Sequence, residues 1–171
     1  MKNILSGAAL AAVIATAPAL GASLNLRTGA WEMTLTTVTT GNVIAPSTLE
    51  KLQPEQREQI ERNMQERSGK PSIQIHKTCV SQKDIDEMNL IKADDKNCSR
   101  KIKAQSSMRV DLDESCGEPD ANQKSISIET KNPESLLLIA DVQSSNGGKI
   151  HLDVNGRWLA SDCKGILTET E

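Results

Sequence analysis

The four cysteines are the residues of this chain with the clearest capacity for chemistry: Cys79, Cys98, Cys116 and Cys163. No two of them have the C-x-x-C spacing of thiol oxidoreductases. His76 stands shortly before Cys79, but no pair of candidate ligands repeats the spacing of structural zinc sites, so we expect no metal. An even number of cysteines predicts two disulfides if the chain is exported, and three pairings are possible. We favour Cys79–Cys98 with Cys116–Cys163, because the first would close one compact segment and the second would tie the chain end to the sheet.

The two histidines, His76 and His151, are the candidates for a general base. Each falls on the polar side of an alternating segment. His151 and Asp153 together with a serine could supply a nucleophile triad, but the chain has no G-x-S-x-G elbow. Gly147-Gly148 precedes a strand pattern, which predicts a hairpin turn rather than a phosphate loop. We therefore predict no catalytic residue and no cofactor, and an exported hydrolase is the least favoured function.

The acidic segment 111–115 resembles the start of a calcium-binding loop. The pattern then fails, because Cys116 takes the place of the required glycine and Asn122 stands where a bidentate glutamate is needed. Other carboxylates could serve in glycoside hydrolysis, but each alternates outward from apolar neighbours, as strand carboxylates ordinarily do. These are Glu32, Asp141 and Asp153.

Residues 1–22 have the pattern of a cleavable signal peptide. Lys2 supplies the positive charge, an apolar stretch runs from Ile4 to Ile14, and small residues between Ala19 and Ala22 suit cleavage. No later stretch is long enough to cross a bilayer. The length of 171 residues then predicts one exported domain over 23–171, periplasmic or secreted, with no integral membrane segment after cleavage.

The elements that must position these residues are mainly strands. Alternation over Trp31–Thr37 and Ile73–Cys79 predicts two half-buried strands. Between them, residues 47–68 predict a charged helix that begins near Pro54, runs to about Arg67 and has few apolar side chains. A short helix follows Ser81, and from Cys98 onward the pattern is an antiparallel meander with Leu136–Val142 as its central strand. The predicted fold class is mainly β (α+β): a curved antiparallel meander sheet or partial barrel of about seven strands with one or two inserted helices.

Three motifs occur in a fixed order along the chain: Gly29-x-Trp31-Glu32, Cys79-Val80-Ser81, and Gly156-Arg157 followed by Asp162-Cys163. Over roughly residues 26–163 the chain resembles a family of small exported bacterial proteins known only as a domain of unknown function. The resemblance implies export, disulfides and an antiparallel sheet, and it implies no activity. The chain departs from the family at Arg27-Thr28, where a proline usually precedes the glycine, and at Ala160-Ser161, where a glycine usually precedes Asp-Cys.

Composition restricts the function further. The formal net charge is −3, so no basic patch for nucleic acid is expected, and the only aromatic residues are two tryptophans, which disfavours stacking platforms. We predict a non-catalytic module for a small apolar ligand or lipid, with the helix of 47–68 as a lid over an aliphatic sheet face. The alternative is a structural or protein-interaction factor of the cell envelope, with an envelope protein as its partner.

Overall fold

The computed structural model describes residues 23–44, 46–88, 90, 97–118 and 121–166, so the predicted signal peptide lies outside the described residues. In this part of the chain the strands are β1 Gly29–Thr40, β2 Pro71–Val80, β3 Cys98–Gln105, β4 Arg109–Cys116, β5 Asn122–Asn132, β6 Ser135–Ser144 and β7 Lys149–Ala160. The helices are α1 Pro46–Leu49, α2 Pro54–Arg67 and α3 Gln82–Asp86.

The strands form a single antiparallel sheet in the order β2-β1-β7-β6-β5-β4-β3. From β3 to β7 each strand pairs with its successor, and β1 then pairs with β7 on one side and β2 on the other. Because β2 and β3 are the two edges and do not pair, the sheet is open. The predicted fold class is confirmed, and the stretch predicted to be central lies in β6, the middle strand of the seven.

The two faces of the sheet differ in chemistry. The core face carries the alternating apolar side chains, among them Trp31 and Met33 of β1, Leu138 of β6 and Val154 of β7, all buried. Leu24, Ile85 and Met88 pack against it from the N-terminal segment and from α3 with the turn that follows. The polar face carries the alternate residues of the same strands. Alternation with period two thus assigns one face to the core and the other to solvent.

All four cysteines are in disulfides, but the favoured pairing is wrong. Cys98 of β3 lies directly opposite Cys116 of β4 in the ladder, with a Cα–Cα distance of 4.0 Å, and is bonded to it. Cys79 of β2 is bonded to Cys163, in the segment after β7, with a Cα–Cα distance of 5.6 Å. A Cys79–Cys98 bond would have to join β2 to β3, the opposite edges of the open sheet. The favoured pairing assumed that cysteines close in sequence are close in space. Between Cys79 and Cys98, however, the chain crosses from one edge of the sheet to the other.

Candidate functional site

A cleft between α2 and the sheet has a mainly apolar lining surface and a volume of about 440 Å³, which is enough for a small ligand. We call it the α2 cleft. Its helix wall is formed by Ile60, Asn63, Met64 and Arg67. Its remaining lining comes from the sheet, from the segment after β1 and from the turn after α2: Thr37, Thr39, Val43, Ile44, Lys70 and Ser72.

The helix wall follows from the local sequence of α2. Pro54 takes the first position, and a capping box joins Gln53 and Gln56 at the N-terminus, so the predicted start near Pro54 and end near Arg67 are confirmed. Ile60 and Met64 are one turn apart and therefore share a face, which they turn toward the cleft. Both side chains are half-buried, and none of the residues of α2 is buried. The helix therefore gains little from packing.

The sheet wall belongs to β1 and β2. Thr37 of β1 pairs with Ser72 of β2, and Thr39 lies two residues further along the same face. These residues continue the core face beyond Met33 toward the ends of the strands. Their hydroxyl-bearing side chains make this wall less apolar than the core itself.

The third wall of the cleft consists of Val43 and Ile44, in the segment after β1, and hydrogen bonds join this segment to the turn between β6 and β7. The Asn146 side-chain amide donates to the Ile44 carbonyl at 2.7 Å, and the Ile44 N–H donates to Asn42 Oδ1 at 3.1 Å. Gly148 lies so close to this segment that a Cβ there would be 2.1 Å from the Asn42 carbonyl oxygen. Val43 and Ile44 are thereby fixed relative to the sheet.

By contrast, within the described residues few hydrogen bonds attach α2 to its surroundings. After the helix, the Gly69 N–H donates to the Thr39 carbonyl at 2.8 Å, and Gly69 has a positive φ of 73°. Before it, Arg57 Nη2 donates to the Leu49 carbonyl at 2.9 Å. The α2 cleft thus has two walls built on the sheet and one wall attached mainly through its ends.

A second, larger cavity of about 770 Å³ is lined mostly by polar and charged residues and lies mainly on the other face. The ladder aligns Asp113, Ser125, Asp141 and His151 side by side across β4, β5, β6 and β7. His151 Nδ1 is 2.7 Å from Asp141 Oδ1, and its Nε2 is 3.3 Å from Asp153 Oδ2. The hydrogen bond to Asp141, aided by the charges of Asp141 and Asp153, raises the pKa of His151.

This arrangement brings together His151 and Asp153, as the triad hypothesis required, but not a serine beside the imidazole. Ser125 pairs with Asp141, so β6 stands between it and His151. The two ring nitrogens of His151 contact Asp141 and Asp153, so both are engaged by carboxylates. His76 lies opposite Met33 and hence on the core face, away from His151, so the two histidines do not share a site.

The remaining acidic candidates are engaged in ion pairs. Asp111 accepts from Arg109 at 2.8 Å, Asp113 is 2.7 Å from Lys103, and both lie on the polar face. The hydrogen bond from Arg109 lowers the pKa of Asp111, and the one from Lys103 lowers that of Asp113. Glu32 accepts from Arg157 at 2.8 Å, which lowers its pKa.

Glu114 entered the sequence analysis only as part of the acidic segment 111–115, yet it is the most deeply buried carboxylate described, with a side chain 3% exposed. It accepts from Arg100 Nη2 at 2.8 Å and from Lys124 Nζ at 2.6 Å. The signal was available, because Glu114 alternates in phase with Val110 and Leu112 and must share their face. It lies beside the Cys98–Cys116 disulfide, whose bonded sulfurs offer no thiolate to a metal.

The residues that carry the family resemblance meet at the opposite end of β1 from the α2 cleft. Trp31 is fully buried, and Gly156 packs against its ring. Glu32 and Arg157 form an ion pair, and Cys79 is bonded to Cys163. The family described as "Protein of unknown function (DUF3617)" matches residues 26–163. The chain belongs to this family.

The DUF3617 match covers most of the chain and supplies no activity. No curated protein and no solved structure matches the chain. In the part of the chain that the structure describes, no helix is long and apolar enough to cross a membrane. Two disulfides are compatible with an extracellular or periplasmic protein. A functional assignment therefore has to come from the geometry of the cavities.

Proposed function

We propose that the protein is an exported, non-catalytic binding module that holds a small apolar ligand or lipid in the α2 cleft. The observation that carries this proposal is the contrast between the walls of the cleft. Ile60 and Met64 face apolar residues of a fixed wall, yet they sit on a helix with no buried residue. A helix attached in this way can move outward without exposing the core, which a ligand-admitting lid must do.

Export is supported by the signal-peptide pattern of residues 1–22 and by the two disulfides, which persist in oxidising compartments. A non-catalytic role is supported by the pairing of the charged candidates. The carboxylates of the polar face are engaged by Arg109, Lys103 and Arg157, and His151 is engaged by two carboxylates.

Binding of the neutral fluorescent probe 1-aminoanthracene to the mature protein tests the proposal. We expect saturable binding to the wild type and a loss of roughly tenfold or more in affinity in the double variant I60D/M64D, because charge at these positions opposes burial of an apolar ligand. The matched control is Q59D/Q65D, which adds the same two charges to exposed positions of the same helix. Circular dichroism would establish that both variants are folded. Absence of saturable binding to the wild type, or equal affinity in the two variants, would refute the proposal.

The alternative function, a protein-interaction factor of the cell envelope, is favoured by one observation at the edge of the sheet. The edge strand β3 is protected by charges and by a register shift between Ile102 and Ala104. Edge strand β2 pairs with β1 without interruption and exposes Ile73 and Ile75, at 65% and 66%. A regular edge with exposed apolar side chains is suited to accept a further strand.

A strand that fits this edge in register is β2 of a second copy, and pairing of two copies would show that the edge accepts a further strand, as an envelope protein would have to supply. In an antiparallel pair with Gln74 on the two-fold axis, Ile73 would face Ile75 of the partner, and Lys77 would face a proline rather than a like charge. Sedimentation of the mature protein would then show a dimer that I75K abolishes. The control I102K places the same charge on β3, where an isoleucine is also exposed. A monomeric wild type at all concentrations would exclude this contact.

A further inference from the structure

We propose that the ligand of the α2 cleft is a single-chain amphiphile with an anionic head group of the fatty-carboxylate type. This inference rests on the proposed function of the cleft and adds the chemical class of its ligand. It is carried by the distribution of charge around the cleft and by the order of residues along α2.

Charge is segregated on α2. The helix carries four glutamates, and none of them is among the described residues that line the cleft: Glu55, Glu58, Glu61 and Glu66. The charged side chains that do line it are both cationic, Arg67 and Lys70. An apolar cleft bordered by two cations and by no described carboxylate favours an anion over a neutral or cationic head group.

These two cations are not neutralised within the described residues. Several cations of the sheet are paired, as Arg100 is with Glu114 and Arg157 with Glu32. No ion pair among the described residues involves Arg67 or Lys70. The Lys70 N–H donates to the Arg67 carbonyl at 3.0 Å, which keeps the two residues together at the end of the helix. Their charge is therefore available to a ligand.

The order of residues gives the ligand a direction. Ile60, Met64 and Arg67 are spaced i, i+4 and i+7 and so form one stripe along the cleft side of α2. The stripe is apolar at Ile60 and Met64 and cationic at Arg67. Its length is roughly 10 Å, because each residue of an α-helix advances about 1.5 Å along the axis. Val43 and Ile44 supply further apolar contacts from the fixed wall. An amphiphile would place its alkyl chain along Ile60 and Met64 and its carboxylate beside Arg67 and Lys70.

Displacement of 1-aminoanthracene by dodecanoate and by dodecanol, each kept below its solubility and micelle limits, tests the inference. The two competitors share the alkyl chain and differ in head-group charge. We expect dodecanoate to bind the wild type roughly fivefold more tightly, as two exposed charge contacts allow, and we expect this preference to decline as salt is added. The double variant R67Q/K70Q should lose the preference, which is read as the ratio of the affinities of the two competitors for the same variant and so does not depend on its affinity for the probe.

The matched control is K51Q/R62Q, which removes two exposed cations of the same region that do not line the cleft, and it should keep the preference. The charge-reversed variant R67E/K70E should instead prefer dodecyltrimethylammonium. Equal displacement by dodecanoate and dodecanol, with the neutral probe still bound in the cleft, would overturn the head-group inference and leave the proposed function intact. Failure of the neutral probe to bind the wild type would overturn both.

Discussion

At the scale of single residues, Glu114 shows how a buried charge is accommodated in this sheet. Burial by itself would raise the pKa of its carboxyl group. The hydrogen bonds from Lys124 and Arg100 and the charges of both cations outweigh that effect, so the pKa is lowered overall. The carboxylate therefore joins β4 to the strands on either side, β3 and β5, within the core face.

The charge of Glu114 should make stability depend on acid. A group whose pKa is lower in the folded state contributes stability above its ordinary pKa of about 4.5, and that stability is lost as the pH falls through the folded value. We expect E114Q to lower the free energy of unfolding by about 3 kcal/mol near neutral pH, because Arg100 and Lys124 lose their carboxylate. Urea unfolding between about pH 7 and about pH 3 should show a shallower decline in E114Q than in the wild type.

The control for this prediction is E129Q, the same substitution at a carboxylate of the polar face that pairs with Arg109 and is 40% exposed. Its cost should stay below about 1 kcal/mol, as for other exposed pairs. If E114Q and E129Q cost the same, the burial of Glu114 does not determine its contribution.

Gly156 is a position where the core face has no space for a side chain. A Cβ there would lie 2.8 Å from Met33 Sδ and 3.0 Å from Leu136 Cβ. We expect G156A to destabilise the protein by about 1–3 kcal/mol through overpacking. The control is G117A, where the nearest atom is the Asn97 carbonyl oxygen at 3.8 Å and alanine should be neutral or slightly stabilising. Thermal unfolding of both variants checks this; equal melting temperatures would contradict the packing argument.

At the scale of elements, α2 and α3 pack against the sheet to unequal extents. Ile85 of α3 is 1% exposed and belongs to the core, whereas α2 contributes no buried residue. Since β1 and β2 pair as far as Val38 and Pro71, a short turn can connect them without the intervening helices. The sheet should therefore fold without α2.

Replacement of residues 46–69 by a short Gly/Ser turn should change the free energy of unfolding by no more than about 1 kcal/mol. The single substitution I85A in α3 should cost about 2–5 kcal/mol, because it leaves a cavity in the core. Urea unfolding followed by tryptophan fluorescence compares the two. A larger loss from the replacement than from I85A would show that α2 stabilises the sheet, against the lid proposal.

Local sequence patterns predicted α2 and β6 well, because the bounds of a helix or strand depend on residues that are neighbours in sequence. The bounds of α2 follow from Pro54 and the charged run after it, and the position of β6 follows from its apolar stretch. The placement of β1 beside β7 had no such local signal, because pairing of distant strands depends on the whole core. The α2 cleft was accordingly predicted only in part: the helix of 47–68 was expected to cover an aliphatic sheet face, but the sheet wall carries Thr37 and Thr39, while Val43 and Ile44 are brought there by the β6–β7 turn.

At the scale of the whole molecule, the two disulfides connect parts of very different separation. Cys98–Cys116 spans 18 residues and joins neighbouring strands, so it duplicates contacts that the ladder already makes. Cys79–Cys163 spans 84 residues and ties the edge strand β2 to the segment after β7. In a chain-entropy account, a disulfide stabilises the fold by lowering the entropy of the unfolded chain, and a longer loop does so more. The expected contribution to the free energy of unfolding is about 4.5 kcal/mol for Cys79–Cys163 and about 3 kcal/mol for Cys98–Cys116.

We therefore expect C79S/C163S to lose about 1.5 kcal/mol more stability than C98S/C116S in urea unfolding. The longer link should matter for a second reason, since β2 has a strand on one side only and Cys79 lies near its buried end, at the residue before Val80. Hydrogen exchange would separate the two effects: loss of this link should raise exchange in β2 above that in β6, whereas a purely entropic effect on the unfolded chain would raise both alike. A greater loss in C98S/C116S would mean that the β3 edge, with its buried Glu114, depends on its disulfide more than the chain-entropy account allows.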